Sequence, residues 1–111
     1  CGPYVNSDTV AAQMMGAVTM GLSAAFKEQI EFADGGVKSA NFADYNLLRM
    51  SEAPDVETHI VDSDDPIGGV GEPGLPPTAP AVANAVFAAT GVRIRRLPMT
   101  PESVLAELKK S

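Results

Sequence analysis

One ionisable side chain stands in a segment built largely from glycine and proline. Residues 66–80 read PIGGVGEPGLPPTAP, and Glu72 is the only charged residue among them. Glycine permits close approach of the backbone to a ligand and proline fixes the torsion φ, so this Gly-Pro segment predicts a loop of fixed shape. A carboxylate on such a loop could act as a general base. Composition alone nevertheless favours a solvent-facing acid, because most loop carboxylates are surface residues.

A second polar residue, Gln13, lies in an apolar stretch with helical spacing. Its sequence neighbours are Ala11, Ala12, Met14 and Met15. A glutamine on a buried helix must find hydrogen-bond partners, so a ligand contact competes with an ordinary position on an amphipathic helix. Gly16, about one turn further on, would let a ligand approach the helix closely.

Three arginines occur close together near the C-terminal end. Arg93, Arg95 and Arg96 could bind a phosphate. A solvent-facing strand edge or a subunit contact is the preferred interpretation.

The remaining metal-binding residue types are sparse. Asp62, Asp64 and Asp65 directly precede a proline, a pattern typical of a solvated turn rather than a cation site. His59 is the only histidine and Cys1 the only cysteine. We therefore expect no internal disulfide and no zinc site made by the protein alone, and any metal would arrive within a cofactor.

These residues need elements to position them, and the first is a helix. Apolar residues repeat at i, i+4 spacing, which predicts a helix from Thr9 to about Lys27, with Ser7 or Asp8 as its cap. The repeat is Val10, Met14, Val18, Leu22 and Phe26. The helix also contains Gly16 and Gly21, and its alanines predict burial on several sides.

A β-hairpin is expected next. Residues 29–32 and 37–42 flank an Asp34-Gly35 pair, which is a strong turn signal. Residues 56–62 carry β-branched side chains and predict a third strand. Two or three antiparallel strands would then pack beneath the first helix.

After the Gly-Pro segment, Thr78 is expected to cap an interior helix that ends at Thr90, with Gly91 terminating it. Residues 92–97 predict a short strand. Thr100, followed by Pro101, predicts the cap of a last helix. The sequence therefore indicates one α+β domain over residues 1–111, in the order helix, antiparallel hairpin or three strands, Gly-Pro loop, helix, short strand, C-terminal helix.

Composition excludes several classes of protein. The net charge of −6 argues against nucleic-acid binding, which requires basic surfaces. Apolar residues make up 45% of the 111 residues, enough for one core. We predict no membrane span, because no apolar run reaches the roughly 18–20 residues required.

Three segments resemble one family in order and spacing. They are VNSDTVAAQMMGAVTMGLSAAF, NFADYNLLRMSEAPDVETHIV and GGVGEPGLPPTAPAVANAVFAATGVRIRRLP, which together cover nearly the whole chain. They are similar to the C-terminal part of the molybdopterin-binding large subunit of the xanthine dehydrogenase/aldehyde oxidase family. Within it, the bacterial aldehyde dehydrogenase and isoquinoline 1-oxidoreductase-like subunits look most similar.

The resemblance implies a role for particular residues. Glu72, in Gly-Val-Gly-Glu, matches the family's active-site glutamate, and Gln13, in Gln-Met-Met-Gly, matches its pterin-binding glutamine. Gly71 is expected to contact the cofactor. Met15 departs from the family, which often has an acidic residue there.

The resemblance also implies an activity and a setting. The activity is molybdenum-dependent hydroxylation of an aldehyde or an N-heteroaromatic compound with oxygen from water. The cofactor would be a molybdopterin, in a dinucleotide form, and 2Fe-2S clusters would lie on a partner subunit. A bacterial cytoplasmic or periplasmic location is expected. Two alternatives remain: a structural segment with no cofactor or activity of its own, and a small-ligand module without redox chemistry.

Overall fold

The computed structural model describes residues 1–110, and in that range most of the regular structure is helical. The elements, in order, are α1 (Ser7–Phe26), β1 (Phe32–Ala33), β2 (Gly36–Val37), a 3-10 helix (Met50–Glu52), α2 (Thr78–Thr90) and α3 (Pro101–Leu108). The fold is broadly α+β, as predicted, with a much smaller β component than expected.

Helix α1 forms where the apolar repeat predicts it. Val10 is buried, and the later members of the repeat are half-buried. The cap differs from the prediction: the side chain of Asn6, one residue before Ser7, accepts a hydrogen bond from the Thr9 backbone N–H at 2.8 Å. The prediction of Ser7 or Asp8 was wrong because Asn6 already satisfies that amide, so both later residues lie inside the helix.

The hairpin turn is confirmed, whereas the long strands are not. Asp34 and Gly35 both adopt positive φ, at 51° and 77°, as a tight hairpin turn requires. Pairing is limited to Phe32 with Val37 and Ala33 with Gly36. The expected packing beneath α1 was wrong, because both strands are exposed and Phe32 retains 76% of its accessible surface.

Two further predicted strands are irregular in the structure. Residues 56–62 and 92–97 form no ladder with any segment of residues 1–110. A strand is defined by its pairing, so favourable side chains without a neighbouring strand do not make one.

Helix α2 begins and ends close to the predicted residues. Pro77 occupies the cap position, so the prediction of Thr78 as the cap was wrong by one residue. The Thr78 hydroxyl instead donates to the Gly74 carbonyl at 2.8 Å. Gly91 ends the helix with φ of 74°, as predicted. The expectation of an interior helix was wrong, because Thr78 is its only fully buried residue.

The core lies between the C-terminal half of α1, helix α2 and the segment leading into α3. Its buried residues are Ala25, Ile94 and Met99. The Met99 backbone N–H donates to the Ala25 carbonyl at 2.7 Å, which joins the last segment to α1. Thr100 caps α3, as predicted, by accepting from the Ser103 N–H at 3.2 Å.

The molecule exposes more surface than an independent domain of its mass. Its accessible surface is 8249 Å², whereas a folded monomer of this mass exposes roughly 5,800 Å². The radius of gyration is 17.2 Å, against about 13 Å expected for a compact domain of this length. The chain is thus an open arrangement with a small core.

Helix α1 also meets the length and composition criteria for a membrane span, contrary to the sequence prediction. It has 20 residues, its most apolar window has a mean hydropathy of 1.3, and 28% of that window is buried. Core helices of soluble proteins have the same two properties, and α1 packs against α2. Length and composition are therefore weak evidence for a span.

Candidate functional site

A cavity of about 360 Å³ lies between α1 and the Gly-Pro segment. It brings together all three residues that the sequence analysis proposed as a site: Gln13, Gly71 and Glu72. The other residues lining it are Ala12, Gly16, Ala17, Met20 and Leu75. Two segments about 60 residues apart in the sequence thus form the walls of one cavity.

One face of α1 forms the first wall. Gln13, Gly16, Ala17 and Met20 are spaced at i, i+3, i+4 and i+7, which places them on the same side of a helix. Gly16 leaves a notch in this wall, because a Cβ built there would meet no atom within 4 Å. The notch is open space on the cavity side of the helix.

The N-terminal residues hold the start of the Gly-Pro segment. The Gly68 N–H donates to the Cys1 carbonyl at 3.0 Å. Gly2, with φ of 64°, lies so close to residues 65 and 66 that a Cβ would stand 2.4 Å from the Asp65 carbonyl oxygen. Only glycine fits at this position. The close contact fixes the start of the Gly-Pro segment, which continues to Glu72.

Contacts with α1 hold the other end of the segment. A Cβ on Gly74 would lie 3.0 Å from the Ala17 Cβ, so the backbone passes directly over the helix. The Leu75 N–H donates to the Glu72 carbonyl at 3.0 Å, which closes a turn immediately after the glutamate. Thr78 then packs against Gly21. Glu72 is therefore held between two anchored points.

The two polar side chains of the cavity are unpaired. Within residues 1–110, neither the Gln13 amide nor the Glu72 carboxylate has a hydrogen-bond partner, and both residues are exposed. We expected Gln13 either to be buried in its helix or to lie on an open face with apolar neighbours, and the second arrangement is found. Met15 and Met20 are 47% and 62% exposed on the same helix.

The sequence missed several residues of the cavity. Ala17, Met20 and Leu75 were not singled out as site residues, and the two on α1 could have been found from their spacing relative to Gln13. Leu75 follows Glu72 by one turn of chain, and no feature of its type distinguishes it from a core leucine.

The other singled-out residues lie outside this cavity. Asp62, Asp64 and Asp65 are exposed, and the Ser63 hydroxyl donates to Asp65 at 2.6 Å, consistent with the predicted turn. His59 is exposed on the chain surface. The three arginines line a separate cavity, between the segment that follows α2 and helix α3.

Tyr45 also lies outside this cavity. Its hydroxyl donates to the Glu28 carboxylate at 2.9 Å. This hydrogen bond raises the pKa of Tyr45 above its usual range. Tyr45 therefore ties the segment after the hairpin to the end of α1.

A cavity lined mainly by apolar residues, with two unpaired polar side chains among them, has the usual form of a small-molecule site. Comparison with known proteins agrees. Residues 1–54 match the family model described as "Molybdopterin cofactor-binding domain". The chain is 41% identical, over 99% of its length, to isoquinoline 1-oxidoreductase subunit beta of Brevundimonas diminuta. It is 36% identical, over 96% of its length, to the aldehyde oxidoreductase molybdenum-binding subunit PaoC of Escherichia coli (strain K12).

A solved structure shows the same fold. The chain superposes on quinoline 2-oxidoreductase from Pseudomonas putida 86 with a TM-score of 0.88 and 24% identity, over 99% of this chain and 15% of that one. The chain spans 14% and 16% of the two sequence relatives. It belongs to the molybdopterin-binding large subunits of the xanthine dehydrogenase/aldehyde oxidoreductase family.

Proposed function

We propose that this chain forms one wall of the active site of a molybdenum hydroxylase that oxidises an aldehyde or an N-heteroaromatic compound with oxygen taken from water. The observation that carries the proposal is the shared cavity, in which Gln13, Gly71 and Glu72 meet although their segments are far apart in sequence. The relatives whose names are oxidoreductases support the same class of reaction.

The residues fit a pterin-type group. A pterin edge presents both donors and acceptors, and the unpaired Gln13 amide offers both in return. Gly16 and Gly71 have open space in front of their backbones, so a flat ring system could approach the chain without meeting a Cβ. The exposed Met20 offers a polarisable apolar contact beside them. When bound, the molybdenum cofactor would supply the redox centre that takes up the electrons from the substrate.

Glu72 is proposed as the general base. Its carboxylate is unpaired, so it is free to accept a proton from the water-derived oxygen as that oxygen attacks the substrate carbon. The turn that follows it and the Gly74 contact with α1 hold the backbone in place. Proton transfer needs a base within hydrogen-bond reach, and a fixed loop maintains that distance better than a mobile one.

Further polypeptide is expected to complete the site. The surplus of exposed surface, including Met20 in the cavity wall, supports the remainder of a large subunit as the covering partner. We also propose a dinucleotide form of the cofactor and an iron–sulfur subunit as electron acceptor, because such partners accompany the family.

The alternative is a structural segment without cofactor affinity, and cofactor content distinguishes the two. In the intact enzyme that carries this chain, Gln13→Ala should lower molybdenum and pterin content several-fold, because a hydrogen bond to the cofactor is lost. Asn84→Ala, an amide removed from the exposed face of α2, is the matched control and should leave both unchanged. Equal cofactor content in both variants would rule out the Gln13 contact, and an intact enzyme without molybdenum would rule out the proposed function.

A further inference from the structure

A basic cavity lies between the end of α2 and helix α3. Its volume is about 370 Å³, and Arg93, Arg95 and Arg96 line it together with Ile94, Ser103, Ala106 and Glu107. The sequence favoured a strand edge or a subunit contact for these arginines. The structure has no strand there, and the segment instead folds into a concave surface against α3.

The backbone that carries the arginines is fixed. Ile94, between Arg93 and Arg95, is 9% exposed, and Met99, which follows the cluster, is 2% exposed, so both anchor this segment in the core. The Arg93 guanidinium lies over the Phe87 ring, 3.7 Å from its centroid. This stacking uses the face of the guanidinium and leaves its N–H groups available.

The positive charge of the cavity is not neutralised by the chain. Within residues 1–110, none of the three arginines forms an ion pair. Glu107, the one acid in the lining, is paired with Lys110 at 2.6 Å. All three arginines are exposed and line the same cavity, so three positive charges border one concave surface of a chain whose net charge is −6. An anion bound there would be attracted by all three.

We propose that Arg93, Arg95 and Arg96 form a binding site for a phosphate-type oxyanion, such as a pyrophosphate group. The planar guanidinium matches two oxygens of such an anion at once, and several guanidiniums can surround it from different sides. A concave lining with small side chains at positions 103 and 106 favours a compact anion over a flat protein surface. The site is independent of the Glu72 cavity and does not rest on the function proposed for it.

Calorimetric titration, with inorganic pyrophosphate, of the intact protein that carries this chain tests the site. The double variant Arg95→Gln, Arg96→Gln should bind at least about tenfold more weakly, because it loses charge-assisted hydrogen bonds. Arg95→Lys should lose part of the affinity, since lysine keeps the positive charge but lacks the paired N–H donors of the guanidinium. Arg93 is left unchanged because of its contact with Phe87.

Lys38→Gln is the matched control. It removes one positive charge at the exposed hairpin, where Lys38 pairs with Glu31 at 3.0 Å, and it should bind pyrophosphate like the unaltered chain. Circular dichroism verifies that each variant is folded. A second arm compares binding to vesicles that contain phosphatidic acid with binding to phosphatidylcholine vesicles. This comparison distinguishes a lipid phosphate from a free one.

Arginine-dependent binding in either arm supports the site. Failure to bind in both arms would overturn it. Equal weakening by Lys38→Gln would also overturn it, because the effect would then come from net charge alone. Binding of an aspartate-rich peptide without binding of pyrophosphate or vesicles would show a docking surface for an acidic protein instead.

Discussion

Two glycines of α1 have opposite surroundings, and each predicts a different effect of adding a methyl group. A Cβ on Gly21 would stand 2.7 Å from the Thr78 Cβ, at the point where α2 begins. Gly21→Ala should destabilise the chain by about 1–3 kcal/mol through overpacking, which outweighs the gain of roughly 1 kcal/mol in helix propensity. Urea denaturation followed by circular dichroism measures the change.

Gly16→Ala is the matched control for this prediction. Nothing lies within 4 Å of the added Cβ, so the variant should be more stable by about 0.5–1 kcal/mol. A loss of stability in Gly16→Ala together with a gain in Gly21→Ala would contradict the packing of α1 on α2. Gly16 lines the Gln13 cavity, so the proposed cofactor site would account for a glycine that packing does not require.

The caps of the helices make a prediction at the scale of the element. Asn6 accepts the Thr9 N–H, so Asn6→Ala should lower the free energy of unfolding by about 0.5–2 kcal/mol. Ser7→Ala should change it by less than about 0.5 kcal/mol, because Ser7 lies within the helix and makes no cap hydrogen bond. A larger loss of stability in Ser7→Ala than in Asn6→Ala would instead support Ser7 as the cap, as the sequence predicted.

An ion pair joins the end of α1 to the 3-10 helix. Both Glu52 carboxylate oxygens lie 2.6 Å from Lys27 Nζ, and one also accepts the Arg49 N–H at 2.9 Å. The hydrogen bond from Lys27 chiefly, and then that from the Arg49 backbone, lowers the pKa of the Glu52 carboxyl below its ordinary value. The charged form is therefore the one that the folded state favours.

The pH dependence follows from the sign of this shift. A lowered pKa in the folded state gives stability that is fully present above the unfolded value and is lost as the pH falls through the folded value. Glu52→Gln should therefore have a lower Tm than the unaltered chain at pH 7, with a difference that disappears in acid below pH 4.5. Lys27→Gln should show the same loss, and the double variant little more than either. A Tm difference that persists at acidic pH would contradict the assignment.

The helices could be predicted because their signals are local. The Val10 repeat, Gly91 and the Thr100-Pro101 pair each act within one turn of the chain, and each marks its element to within a residue or two. The strands could not be predicted in the same way. Residues 56–61 alternate between half-buried and exposed, as in a strand, but residues 1–110 provide no ladder partner for them. Pairing depends on a neighbour, which no local pattern reveals.

The candidate site was predictable in part. The motifs around Gln13 and Glu72 single out two residues, and the structure brings both to one cavity. The cavity itself depends on the contacts of Gly2, Gly74 and Thr78, which hold the Gly-Pro segment against α1. A list of residue types contains no such distances, so the place of Leu75 in the cavity was found only in three dimensions.

At the scale of the whole molecule, the exposed surface supports the proposal that further polypeptide completes the site. Within residues 1–110, an accessible surface of 8249 Å² surrounds only five buried apolar residues, which leaves little apolar area to stabilise the chain on its own. The exposed Met20 of α1 lines the cavity, so exposed apolar surface and the proposed cofactor site are adjacent. Measurements of catalysis therefore require the intact enzyme.

Turnover per bound molybdenum in Glu72→Gln tests the central claim most directly. Glutamine keeps the size of the side chain and removes the base, so the rate should fall by about 10²–10⁴-fold while molybdenum content stays unchanged. Glu57→Gln, the same substitution at an exposed position outside the cavity, should leave both quantities unaltered. Normal turnover by fully loaded Glu72→Gln enzyme would contradict the role of Glu72 as the base, and a fall in rate only in proportion to lost molybdenum would make the residue structural.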